Sequence, residues 1–313
     1  MEKITVVGAG NVGATCANVI AHKDLAREVV LVDIKEGVAE GKALDIWQTS
    51  QINNFNTRVT GSTNNYLRTK GSGIIVITSG MPRKPGMSRD DLIKTNAEIV
   101  KDVVEKSIKY SPDAILIIVS NPLDVMTYVA YKAANKHYRK VFGMAGILDI
   151  GRYTAFIAEA LNVSPKDIHG LLMGGHGDSM VPLRRFTSVQ GIPITELLNK
   201  DEIDKIIERT KKGGGELVSL MGTSAWYAPG AAAAMMVEAI VDDQKRIFPV
   251  SAYLNGEYGL KDLYLGVPVK LGKNGIEEVI ELKLDEREMK MVQESAAQVQ
   301  ETLKVLESLK IFT

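Results

Sequence analysis

Three groups of residues combine types and spacing that could do chemistry. The first is Gly8-Ala9-Gly10-Asn11-Val12-Gly13, which follows the β-branched run Lys3 to Val7 and opens a helical pattern. In that context a GxGxxG segment suits a dinucleotide. Gly8 permits the tight turn, Gly10 lets backbone approach a pyrophosphate, and Gly13 lets helix and strand sit close. The helix N-terminus adds N–H groups and a partial positive charge. Asp33 ends the next apolar run, at the ~20-residue distance where a carboxylate accepts hydrogen bonds from an adenosine ribose. The same carboxylate would repel a 2′-phosphate, which favours NAD over NADP. The bland alternative is a glycine turn without a nucleotide, with Asp33 as a helix cap.

The second group surrounds His176. The chain has four histidines, and only this one sits in a tight glycine setting, Gly174-Gly175-His176-Gly177-Asp178, after the apolar run Ile168 to Met173. Such a loop can project an imidazole into a cleft, although a histidine in a glycine loop is more often structural. His22, His137 and His169 read as solvated or satisfied. No HxH, HExxH or CxxC spacing points to a metal. The third group is Asp149 with Arg152, three apart and able to share a helix face. It stands beside Ser79 to Arg89, a long segment with three cations and two prolines after an apolar strand. Taken singly, these read as a local ion pair and a solvated surface loop.

The elements that must position these groups are legible in outline. Strands are predicted at Lys3 to Val7, Val29 to Asp33, Arg58 to Thr60, Ile74 to Ser79, Ile115 to Ser120 and Val141 to Gly143, alternating with helical periodicity. That is the pattern of βαβ units around a buried parallel sheet. Leu92, Asn96, Ile99 and Val103, flanked by Val104 and Ile108, share one face of a crossover helix. Beyond about residue 150 come a helix from Arg152, a strand near Ile168 to Met173, longer helices and a hairpin-like stretch. Met289, Val292, Ala296, Val299, Leu303 and Leu306 form the apolar stripe of a final helix started by Asp285 and Glu288, expected to pack on its own domain.

The expected fold is therefore α/β: an N-terminal doubly wound parallel sheet of the Rossmann type over residues 1-145 and a C-terminal α+β domain over residues 146-313, with a cleft between them. Composition agrees. The 313 residues are 45% hydrophobic, enough for a large core without a disulfide, and the single Cys16 falls inside the first helix as a buried thiol. Lys+Arg and Asp+Glu both number 38, a balance that argues against a nucleic-acid partner. No apolar run of about 18 residues suggests a membrane span, and no signal peptide is visible. The expectation is a cytoplasmic protein.

Taken together, Gly8 to Gly13, Asp33, Met81-Pro82-Arg83-Lys84-Pro85-Gly86-Met87-Ser88-Arg89, Ser120-Asn121-Pro122-Leu123-Asp124, Leu148-Asp149 with Arg152, and Gly175-His176-Gly177-Asp178 resemble the lactate/malate dehydrogenase family. The order and spacing match over nearly the whole chain, and the likeness is greatest to the bacterial, lactate-dehydrogenase-like malate branch. The resemblance implies that His176 is the general acid/base, a task suited to an imidazole titrating near neutral pH, and that Asp149 orients it. It implies that Arg152 grips the substrate C1 carboxylate and that Arg89 polarises the reacting carbonyl once its loop closes. Asn121 resembles the residue touching both substrate and nicotinamide; Asn96, Val119 and Ser120 match cofactor-contacting positions.

Within the family, lactate enzymes carry Gln and malate enzymes Arg at the position of Arg83. A buried Arg needs an anion, which the second carboxylate of oxaloacetate supplies and the methyl of pyruvate does not; an unpaired buried charge costs roughly 3 to 5 kcal/mol. The implied activity is reversible oxidation of (S)-malate to oxaloacetate with NAD, by a homodimer or homotetramer. The alternatives are a lactate or other 2-hydroxy acid dehydrogenase of the same mechanism and a non-catalytic NAD-binding protein. Around Thr223 to Ala225 a small side chain should face the pocket, with Ser224 and Ala225 both candidates.

Overall fold

The computed structural model describes residues 1–82 and 88–312, without the side chain of Arg89. Six parallel strands form its centre: β1 (Lys3–Val7), β2 (Glu28–Asp33), β3 (Arg58–Thr63), β4 (Ile74–Ile77), β5 (Ile115–Ile118) and β6 (Val141–Gly143). β4 and β5 read Ile-Ile-Val-Ile and Ile-Leu-Ile-Ile and are buried at every position, as strands covered on both faces by helices must be. The covering helices of this half are α1 (Asn11–His22), α2 (Val38–Gln48), the single turn α3 (Ser50–Asn53), α4 (Arg89–Tyr110) and α5 (Leu123–Ala134). The strand order 3-2-1-4-5-6 is that of a dinucleotide-binding sheet, with its direction of winding reversing between β1 and β4.

The second half does not build a separate sheet of comparable size. After α6 (Gly146–Leu161) come five two-residue strands, β7 (Ile168–His169), β8 (Leu172–Met173), β9 (Val181–Pro182), β10 (Ser188–Val189) and β11 (Ile192–Pro193), then α7 (Ile194–Leu197), α8 (Lys200–Met221) and α9 (Tyr227–Val241). β12 (Arg246–Asn255) and β13 (Lys261–Gly272) form a long antiparallel hairpin, β14 (Gly275–Val279) pairs with β13, and α10 (Glu286–Ser308) closes the chain. The hairpin docks on the edge of β6, where Ser251 pairs with Gly143, so one nine-stranded sheet runs through both halves. One apolar core follows it from Ile4 to Leu306. A smaller core around Tyr153, Ile157, Ile168 and Ile203 fills the space under α6 and α8.

Several expectations change here. The helix predicted from Arg152 begins at Gly146; its N-cap, Ala145, offers no side-chain hydrogen bond, so the polar start signal is missing. The strand predicted from Ile168 to Met173 is broken into β7 and β8, which pair with different partners, β10 and β9. β4 and β5 stop at Ile77 and Ile118, leaving Ser79 and Ser120 in the loops beyond them, while β3 runs on to Thr63. The last helix has the expected start and stripe, since Asp285 and Glu288 form a reciprocal capping box and Val292, Ala296, Val299, Leu303 and Leu306 are buried. It does not pack on its own domain alone, but lies against α4 and α5 of the first half as well as β9 and β13. Cys16 is fully buried, and burial pushes its thiol up to about 12, which leaves it inert at neutral pH.

Candidate active site

The cleft opens where an α/β sheet favours it, beyond the carboxyl ends of the strands at the reversal point. The loop after β1 is held against β4 by Thr78, whose hydroxyl donates to the Gly8 carbonyl at 2.9 Å. At Gly13 an added Cβ would stand 1.8 Å from that same carbonyl oxygen, so α1 starts this close to the strand only without a side chain there. At Gly10 an added Cβ would meet nothing within 4 Å. The open space is where backbone can approach a ligand, as a pyrophosphate cradle requires. Asp33 closes the loop: its Oδ2 accepts the Ala9 N–H at 2.7 Å and its Oδ1 the Lys35 N–H at 2.9 Å. Each carboxylate oxygen retains acceptor capacity for a ribose hydroxyl.

A cavity of about 490 Å³ continues from Val12 past Gly80, Asn96, Val119, Ser120 and Asn121 to Arg152 and His176. Asn96, only 1% exposed, works on the backbone around it. Its Oδ1 accepts the Met81 N–H at 2.7 Å, and its Nδ2 donates to Asn121 O at 2.7 Å and to Met81 O at 3.2 Å. It thereby fastens the loop after β4 to the loop after β5. Ser120 adds a second tie, donating its hydroxyl to Ser79 O. Both Ser224 and Ala225 line the cavity, so both candidates for the small pocket residue reach it. The opposite wall is α8, through Lys211, Gly214, Gly215 and Val218. Gly213, beside them, makes room for Arg152, whose Cδ would lie 3.0 Å from an added Cβ.

At the inner end, His176 Nδ1 lies 2.9 Å from Asp149 Oδ2, and Arg152 Nη1 lies 3.4 Å from Asp149 Oδ1. Asp149 is almost wholly buried, at 2% side-chain exposure, while His176 and Arg152 keep 15% toward the cleft. Since an ionised carboxylate only accepts, Nδ1 carries the proton and Nε2 is the free ring nitrogen. Desolvation pulls the imidazole pKa down and Arg152 adds to that, but the charges of Asp149 and Asp124 and the Asp149 hydrogen bond outweigh them and raise it. Arg152 Nε is buried with no hydrogen-bond partner. An unpartnered N–H on a guanidinium that lines the same cleft as His176 is suited to an incoming carboxylate.

Three residues that shape this loop carried no assigned role in the sequence reading. Asp124, in the first turn of α5, accepts the His176 backbone N–H on Oδ2 at 3.0 Å and the Ser251 hydroxyl on Oδ1 at 2.6 Å. Ser295 of α10 accepts the Gly175 N–H on its hydroxyl oxygen at 2.8 Å. An acid two residues into a largely apolar helix was the available signal for Asp124; Ser251 and Ser295 are ordinary positions until strands and helix assemble. Arg83 lies outside the described residues. Arg89 opens α4 rather than lying in the preceding loop, directly after Ser88, whose side chain caps that helix in a box with Asp91. The other histidines are spent elsewhere: His22 pairs with Asn53, His137 accepts the Arg139 N–H, and His169 is exposed in β7. Among the described residues no helix is long and apolar enough to cross a membrane.

Comparison with known proteins agrees with this geometry. Residues 2–143 match the lactate/malate dehydrogenase NAD binding domain, and residues 147–309 match the alpha/beta C-terminal domain of the same enzymes. The chain is 62% identical to a malate dehydrogenase of Cytophaga hutchinsonii over 98% of both chains. It superposes on the 1.55 Å structure of malate dehydrogenase from Salinibacter ruber with a TM-score of 0.95 at 56% identity, covering 98% of each chain. A lactate dehydrogenase from Cryptosporidium parvum, complexed with lactic acid and nicotinamide adenine dinucleotide, follows at 0.93 and 38% identity, again over 98% of each. The fold thus accommodates both substrates, and of these three relatives the two malate dehydrogenases are the more similar to this chain. With both halves matched and relatives this close over their full length, the chain belongs to the lactate/malate dehydrogenase family.

Proposed function

We propose that this chain catalyses the reversible oxidation of (S)-malate to oxaloacetate with NAD. The Gly8 to Gly13 loop would hold the pyrophosphate of NAD and Asp33 its adenosine ribose, and NAD when bound would supply the hydride acceptor for malate C2. The residues of the chain do the rest. His176, held by Asp149, takes the C2 hydroxyl proton on Nε2 as the carbonyl forms, and returns it in the reverse direction. Arg152 holds the C1 carboxylate, Arg83 the second carboxylate, and Arg89 polarises the carbonyl oxygen. Asn121 orients substrate against nicotinamide, while Asn96, Val119 and Ser120 shape the cofactor side. Residues 1–145 would serve NAD and residues 146–313 the substrate.

The observation that carries this reading is the pairing of an Asp-oriented imidazole with a buried, unpartnered guanidinium N–H in one cleft. Full-length malate dehydrogenase relatives support the dicarboxylate over lactate. By family resemblance alone we further infer a cytoplasmic homodimer or homotetramer working in the tricarboxylic acid cycle. The test is NADH oxidation with oxaloacetate and with pyruvate, side by side, in the unmodified enzyme and in Arg83→Gln. The unmodified enzyme should strongly prefer oxaloacetate, within the 10⁴- to 10⁵-fold or so that a missing polar partner allows. Arg83→Gln should lose much of that preference. A preference for pyruvate, or an unchanged ratio of the two kcat/KM values in the variant, overturns the substrate assignment.

A further inference from the structure

The His176 loop is a thin partition. On one side lies the substrate cleft; on the other lies a second cavity of about 370 Å³, bounded by Pro122, Asp124, Ser179, Gln298 and Val299. His176, Gly177 and Asp178 border both. A segment with open space on two faces is fixed less by packing than by the groups that hold its polar atoms. Beside the backbone pairing of Gly174 with Gly266, three side chains from other elements do so here: Asp149 on the ring, Ser295 on the Gly175 N–H, and Asp124 on the His176 N–H.

We propose that Asp124 is the second carboxylate of the acid/base centre, a positioning residue that holds His176 from behind while its negative charge favours the imidazolium. The proposal rests on the reading of His176 as acid/base and adds to it. Asp124 is 6% exposed and its two oxygens accept from different elements, the loop and β12. It sits in the first turn of α5, where the helix N-terminus favours a negative charge. Burial raises its pKa against the two hydrogen bonds that lower it.

The groups facing His176 can be counted. α6 supplies Asp149 and Arg152, α5 supplies Asp124, the loop itself carries Asp178, and Lys211 stands on the opposite wall of the cleft. Within the buried set, two carboxylates face one guanidinium, so a neutral imidazole leaves one negative charge in excess. Protonation of His176 cancels it. With Asp149 alone, the Arg152 charge would already balance the set, and the imidazolium would be a surplus cation. Asp124 thus supplies the charge that makes an acid of His176 affordable in a desolvated site.

The experiment follows the His176 Cε1–H resonance by NMR across pH in cofactor-free enzyme, alongside kcat/KM for malate oxidation. The variants are Asp124→Asn, which keeps an acceptor for the His176 N–H but removes the charge, and Ser295→Ala, which removes a neutral tie of the same loop. Asp124→Asn should move the His176 midpoint to lower pH, with the acid limb of the rate profile following. Ser295→Ala should lower kcat and leave the midpoint in place. An unmoved midpoint in Asp124→Asn, with a rate loss like that of Ser295→Ala, reduces Asp124 to a mechanical clip and overturns the proposal.

Should Asp124→Asn fail to fold, the unmodified enzyme decides. The Asp124 carboxyl ¹³C signal must show an inflection at the His176 midpoint, and a flat signal there overturns the coupling. If the NMR midpoint moves while the rate profile stays flat, the charge coupling of Asp124 to His176 stands but the acid/base reading of His176 fails, and with it the proposal that Asp124 serves the acid/base centre.

Discussion

The loops after β1 and after β8 invite comparison, because both are rich in glycine, both follow a buried strand and both reach the same cleft. In the first, glycine creates proximity: Gly13 lets α1 close on the Gly8 carbonyl, and Gly10 leaves backbone bare toward open space. The loop offers N–H groups, and side chains would only obstruct. In the second, one side chain is the point. Gly174 and Gly177 turn the chain at φ of +87° and +110° so that His176 stands between two cavities. Its position is then fixed by Asp149, Asp124 and Ser295, from three different helices. A backbone site depends on what is absent near it; a side-chain site depends on distant parts of the chain arriving together.

That contrast can be broken by substitution. The largest effect is expected for Gly13→Ala. Overpacking costs about 1 to 3 kcal/mol where neighbours give way, and here the neighbour is backbone at 1.8 Å. Loss of NADH binding with a fall in Tm should follow; a variant that binds NADH normally refutes the proximity argument. His176→Asn should instead retain NADH affinity and lose about 10²- to 10⁴-fold in turnover.

The same histidine sets a pH signature. Because its pKa is raised by Asp149 and Asp124 against desolvation, malate oxidation, which needs the neutral ring, should fall as pH drops through that raised value. Oxaloacetate reduction, which needs the charged ring, should fall as pH rises through it. Profiles of kcat/KM in both directions check the sign, and a shared slope would contradict it.

Smaller effects separate conformation from contact. Gly177→Ala meets nothing within 4 Å but keeps a φ that disfavours any side chain; a stability loss of about 1 to 3 kcal/mol is expected in denaturant unfolding. Gly10→Ala also meets nothing, and its φ of −64° suits any residue. Its Tm should hold while NADH binds about tenfold more weakly, a change of about 1.4 kcal/mol. Unchanged NADH affinity would remove Gly10 from the cofactor surface.

Which parts were legible in the sequence follows the same division. β1 and β6 lie where their apolar runs place them, and Asp285 caps α10 as its spacing predicts, because strand burial and helix capping are local. The glycine loop was legible for the same reason: its steric logic is contained within a few residues. The start of α6 was not, since Ala145 provides no cap. Nor was the split between β7 and β8, which depends on pairing with two different later strands, β10 and β9. Asp124 stood in view as one acid in a motif, but its role exists only once β12 and the His176 loop meet it.

The hairpin of β12 and β13 is joined to β6 in one sheet, with one core running through both halves. A sheet of this kind is a stiff beam, and a beam that spans two halves leaves no hinge between them. Any closing motion around a substrate must then be borne by elements outside that sheet, such as α8 on the opposite wall of the cleft. In mechanical terms the enzyme resembles an anvil with a moving latch more than a pair of jaws.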